Sequence, residues 1–150
     1  MTTHGERMQA EIATYRASGE PWPATAPQLA RWALNKGRWE PHIDSLVRQC
    51  AEDFARAMRE EYIVDPQGRT VRAKHAARLD GDQGTFWTDI RDGNAPYMKL
   101  ALKQRRQQIV GDCKQLKADM DSFNENWNGS ASLQLSFNFT DDLAEFEAAA

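Results

Sequence analysis

The stretch Arg69-Thr-Val-Arg-Ala-Lys-His-Ala-Ala-Arg-Leu79, continued by Asp80-Gly-Asp-Gln-Gly84 and Thr85-Phe-Trp-Thr-Asp-Ile90, decides the fold class. Thr85–Ile90 is β-prone and alternates, and a Gly-rich turn separates it from the run before it. Two such runs around such a turn predict a β-hairpin. The flanks of the hairpin are mostly helical, so the chain is expected to be α+β. The first run carries Arg69, Arg72, Lys74 and Arg78, with His75, and no acid interrupts them. In strand geometry Arg72, Lys74, Ala76 and Arg78 share one face.

Upstream of the hairpin, Met8, Ile12 and Tyr15 recur at helical spacing over residues 4–18, and Gly19 follows as a stop. Pro21, Pro23 and Pro27 then interrupt the chain. A second helix is expected over 25–36, capped by Thr25 or Ala26 with Pro27 in its first turn and ended by Gly37. The third, from about 41–43 to Tyr62, is the clearest amphipathic helix: Ile43, Leu46, Val47, Cys50, Phe54, Ala57 and Met58 form its apolar stripe. Asp65-Pro-Gln-Gly68 is a turn.

Downstream, Asn94 is placed to cap a long helix that continues to about Phe123, spanning about 40 Å. Leu102, Ile109, Leu116 and Phe123 fall seven apart, and Arg106, Cys113 and Met120 fill the alternate positions. The result is a heptad seam with one Arg in it. After a polar linker with Trp127, Leu133-Gln-Leu-Ser-Phe-Asn-Phe139 alternates strictly and predicts a terminal strand. Thr140, followed by Asp141 and Asp142, opens a short acidic helix. The expected organisation is an N-terminal helix and Pro-rich connector at 1–23, a central part at 24–91, and a C-terminal part at 94–150 packed on the same domain.

The chain has 150 residues, 41% of them hydrophobic, with 19 Lys or Arg against 22 Asp or Glu. That composition fits one globular domain and not a disordered chain. No apolar run reaches membrane-spanning length, and residues 2–20 are polar with no leader pattern, so a cytoplasmic location is expected. The net charge of −3 is an average: residues 1–110 hold 17 basic and 14 acidic side chains, whereas residues 111–150 hold 2 and 8. The two cysteines, Cys50 and Cys113, lie on apolar stripes and read as buried thiols.

The order of elements, a short helix containing Leu29-Ala-Arg-Trp-Ala33, a longer helix, then a basic hairpin, resembles a winged-helix domain of the small bacterial kind over residues 24–91. It departs from that pattern in having two clear helices where three are usual, in the length of its third helix, and in everything after 94. Asp65-Pro-Gln-Gly-Arg69 and Gln104-Arg-Arg-Gln-Gln-Ile-Val-Gly-Asp112 resemble an uncharacterised bacterial family with no activity attached. The resemblance implies a winged-helix-like core and nucleic-acid binding.

Enzyme signatures are missing from the sequence. It has no phosphate loop, dinucleotide fingerprint or nucleophile elbow. His4, His42 and His75 are scattered, each more than four residues from a Cys or another His, so no zinc spacing exists. A non-enzymatic, regulatory protein with no cofactor or metal is expected, since the chemistry left is binding. In the first reading it binds double-stranded DNA: Arg69, Arg72, Lys74 and Arg78 would contact phosphates, while Arg48, Arg56 and Arg59 on the polar face of the third helix would approach a groove. The same cations also suit a solvated edge strand and ordinary helix-surface pairs with Glu52. In the second reading the chain is a protein-interaction or dimerisation module. Its interface would be Leu102, Ile109 and Leu116 of the long helix, Trp127 of the linker, and Leu133, Leu135, Phe137 and Phe139 of the terminal strand.

Overall fold

A computed structural model describes residues 1–81, 84–130 and 132–149. The chain is α+β, with five helices and two small antiparallel sheets among the described residues. It divides into two compact units, Met1–Ala55 and Arg56–Ala150.

In the first unit, α1 (His4–Ala17) and α2 (Ala26–Asn35) both begin with capping boxes. Thr3 accepts from the Glu6 N–H while the Glu6 carboxylate accepts from Thr3. Thr25 and Gln28 repeat the device, with Pro27 in the first turn as expected. Gly19 and Gly37, at φ +77° and +65°, follow the two helices. Tyr15 holds the helices together. Its ring is 2% exposed, lies edge-on to Trp32 at 5.3 Å, and its hydroxyl donates to the Pro21 carbonyl at 2.8 Å. Arg38 adds an ion pair to Glu11. Beside this contact lies an apolar groove of about 370 Å³ lined by Met8, Ile12, Leu29, Trp32 and Trp39 among others.

The third helix, α3 (Ile43–Arg59), is shorter than the sequence predicts, because Tyr62 belongs to the next strand. The break between the units falls inside it. No residue of α3 is buried. Its stripe of Ile43, Leu46, Val47 and Phe54 is solvent-exposed, with Phe54 at 65%. Cys50 is therefore exposed, not buried as expected, and Cys113 is half-buried.

The second unit replaces the single expected hairpin with two. Strand β1 (Tyr62–Val64) pairs with β2 (Thr70–Arg72) in the register Tyr62 to Arg72, closed by the Asp65–Gly68 turn with Gly68 at φ +87°. Strand β3 (Lys74–Arg78) pairs with β4 (Thr85–Asp89) in the register Lys74 to Asp89. The basic run thus bends at Ala73, which is fully buried. Its N–H donates to the Glu61 carbonyl at 2.9 Å and its carbonyl accepts from Ile90 at 2.7 Å, so one residue serves both sheets. The Asp82–Gln83 part of the expected turn lies outside the described residues.

Helix α4 (Ala95–Asn126) starts at the Asn94 cap, as the sequence predicts, and runs three residues beyond Phe123. It packs on β3. The alternation of β3 puts His75 and Ala77 inward, against a helix whose own buried residue is Ala101. Small side chains on both sides permit that close approach. Two polar contacts fix the helix. The Tyr97 hydroxyl lies 3.0 Å from the His75 carbonyl and 2.8 Å from that of Phe86. The Gln104 side chain accepts from the Arg78 N–H and donates to the Arg78 carbonyl, both at 2.8 Å, as a neighbouring strand would.

The alternating segment Leu133–Phe139 is not a strand, contrary to expectation. Both polar groups of the Leu133 backbone bond to the Asn124 side chain, and no ladder partner runs beside the segment among the described residues. Alternation supplies a face but not an edge to pair with. Helix α5 (Thr140–Ala148) follows, with Phe139 and not Thr140 at its cap position.

Replacing Gln104 with Ala removes a two-way backbone clamp. The expected loss is about 1–2 kcal/mol, to be measured as a lower urea midpoint with an unchanged slope.

Candidate interaction surfaces

The basic run is largely neutralised where it folds. Arg69 donates to the Asp65 carboxylate at 2.7 Å. Asp65 is held below the usual carboxylate range, first by the Arg69 N–H and then by its guanidinium. Lys74 is held between Glu61 at 2.7 Å and Asp89 at 3.1 Å, and these two partners raise its pKa. Asp89 also takes both an Arg91 guanidinium contact at 2.6 Å and the Arg91 N–H. Arg91, followed by Lys74, holds the Asp89 carboxyl far below the ordinary carboxylate pKa. Arg69 and Lys74, expected to meet phosphates, are thus engaged within the protein.

Arg72 and Arg78 have no acidic partner among the described residues. Arg72 has a neighbour that the sequence reading did not single out. Arg105 of α4 is lowered in pKa by its desolvation and then by the positive charge of Arg72. Two guanidiniums that repel one another, without a carboxylate between them, form a locally positive spot. The signal was in the sequence as the residue after Gln104, but only the Gln104 clamp sets Arg105 beside the sheet. On α3, Arg48 makes one contact, to Ser45 at 3.3 Å, and Arg56 is exposed. Arg59 is half-buried with a partner of its own. Of the α3 cations, Arg48 belongs to the first unit, whereas Arg56 and Arg59 open the second, which also holds the sheet cations.

The apolar candidates are more uniform. Tyr97, Ala101 and Gln104 turn one face of α4 to the sheet, so Leu102, Ile109 and Leu116, set off by helical spacing, occupy the other side. All three are exposed, Ile109 at 51%, and Phe123 extends the row. Trp127, Leu133, Leu135 and Phe139 are exposed as well, and Phe137 is half-buried.

Among the described residues no group of His, Cys, Asp and Glu could hold a metal ion. No helix is long and apolar enough to cross a membrane. Comparison with protein-family models, curated proteins and solved structures finds no match to this chain.

The Asp89 corner has a defined pH signature. Its folded pKa lies below the unfolded one, so its stabilisation is whole above the ordinary carboxylate range and is lost as pH falls through that range towards the depressed value. An acid titration followed by far-ultraviolet circular dichroism should show this loss in the native chain. Asp89→Asn should flatten that part of the curve, and added salt should shrink the difference.

Proposed function

We propose that this protein is a non-enzymatic interaction module that works by docking its exposed apolar helix faces onto another protein surface. The observation that carries the reading is the row Leu102, Ile109, Leu116 and Phe123, exposed along a helix whose first turns are fixed to the sheet through Tyr97, Ala101 and Gln104. Exposed apolar patches of this extent mark association sites on folded proteins. The unpartnered stripe of α3, Ile43 to Phe54, belongs to the same reading. So does the segment with Leu133, Leu135 and Phe139, whose backbone beyond Leu133 is unclaimed by any ladder among the described residues. Binding would come from buried apolar area at about 25 cal/mol per Å², less the cost of fixing the partners.

Double-stranded DNA binding is the second reading, favoured by Arg72, Arg78 and Arg105. They are cations of one unit with no acidic partner among the described residues. So few fixed charges would give a shallow salt dependence, with a slope near −0.9 per phosphate neutralised, about −3 in all.

Hydroxyl-radical footprinting over a concentration series tests the first reading. At dilutions where light scattering gives 17.0 kDa, Leu102, Ile109 and Leu116 should be oxidised readily, as exposed side chains are. Protection of all three in the dilute monomer would mean that the chain covers these faces itself, and the reading would fall. For the second reading, labelled duplex is titrated against the native chain and Arg72→Glu at low salt. Equal affinities, or none, remove it.

A further inference from the structure

The charges along α4 identify what its apolar face fits, granted the reading of that face as a docking surface. We propose that α4 pairs antiparallel with the α4 of a second copy of this chain. The first half, Ala95–Val110, carries Lys99, Lys103, Arg105 and Arg106 and no acid. The second half, Gly111–Asn126, carries Asp112, Asp119, Asp121 and Glu125 against Lys114 and Lys117. Lys117 and Asp121 satisfy each other at 2.6 Å. Asp119 receives only the neutral Gln115 amide. Among the described residues, the four cations of the first half and Asp112, Asp119 and Glu125 of the second have no ion-pair partner. A parallel pair would set the seam cations Lys99 and Arg106 against their own copies. An antiparallel pair sets the basic half of each copy on the acidic half of the other.

The seam gives the register. Antiparallel coils place the two kinds of seam position against each other. Leu102 then meets the partner's Met120, Ile109 meets the partner's Cys113, and Arg106 meets the partner's Leu116. On one flank Arg105 comes beside the partner's Asp119, and on the other Lys103 comes beside the partner's Lys117, whose charge its own Asp121 already answers, each twice by symmetry. The two-fold axis passes close to Gly111, and Asp112 faces the partner's Asp112 across it. Arg106 interrupts the seam, but within one turn of its level stands the partner's Asp119, which an arginine side chain can reach. The sheet leaves this side of α4 open, because it grips the helix through Tyr97, Ala101 and Gln104. The overlap from Leu102 to Met120 is about 28 Å long.

Sedimentation equilibrium of the full chain, over concentration and salt, decides it. The native protein should form a species of twice 17.0 kDa. Ile109→Lys should be monomeric with unchanged helical dichroism. Arg105→Glu and Asp119→Arg should each weaken the dimer by about tenfold, and their combination should restore it, since the pair is reversed and not removed. Asp112→Asn should tighten the dimer by about threefold, because it removes a repulsion at the axis. A parallel pair would instead face Asp112 with the partner's Lys117, so weaker association of Asp112→Asn overturns the proposal. So does a dimer indifferent to Ile109→Lys. A chain monomeric at every concentration, with Ile109 open to radical oxidation, rules out the second copy while leaving the docking reading in place. A monomer with Ile109 protected overturns both.

Discussion

The second unit depends on one residue without a side chain to speak of. Ala73 donates its N–H to Glu61 and gives its carbonyl to Ile90, so the strand that passes through it belongs to one hairpin before the residue and to another after it. The site is completely buried. A larger side chain there would have to displace the backbone of both hairpins, and overpacking of that kind costs about 1–3 kcal/mol. Ala77 and Ala101 continue the theme, since the sheet and α4 meet through methyl groups. A contact so thin buries little apolar area, which is why the polar clamps of Tyr97 and Gln104 are needed to fix the helix.

The unit also divides its charges. Around the sheets, acids meet bases: Asp65 with Arg69, and Glu61 and Asp89 with Lys74 and Arg91. These contacts hold the turn and the corner in place but leave little field outside. Along α4 the charges are segregated and mostly unanswered. Local neutralisation builds the scaffold, and longitudinal separation gives the helix a basic and an acidic half. The net charge of −3 conceals this arrangement.

Much of the local structure could be read from the residues, because caps and turns are local physics. Thr25 with Pro27, Asn94 with Pro96, Asp65-Pro-Gln-Gly68 and the glycine stops all lie where the sequence places them. The periodicities of α3 and α4 were legible too, but not what lies against them. A stripe such as Ile43 to Phe54 says that a helix has an apolar face and says nothing about whether the same chain covers it. Cys50 was assigned to a core on that assumption. The segment Leu133–Phe139 failed for a related reason: alternation is a property of one strand and a ladder is a property of two. The basic run misled differently. Four cations in ten residues look like a phosphate track until the fold brings Glu61 and Asp89 to Lys74, residues 13 and 15 positions away. Arg105 was overlooked because only its neighbour's grip on Arg78 locates it.

The anchoring of α4 at one end has a consequence for how firmly its length is held. Tyr97, Ala101 and Gln104 secure the first turns, while among the described residues the turns from about Arg106 to Ser122 make no hydrogen bond to another element until Asn124 ties to Leu133. Isolated helical turns in water are marginal, and opening proceeds first where tertiary contacts are fewest. Along this one element the protection of backbone amides against solvent exchange should therefore fall from start to middle. The middle of the helix is its most readily melted part and also the part richest in exposed apolar side chains. Under the proposed docking reading, recognition there would be coupled to local folding: a partner that covered the seam would also freeze a helix that the free chain holds loosely.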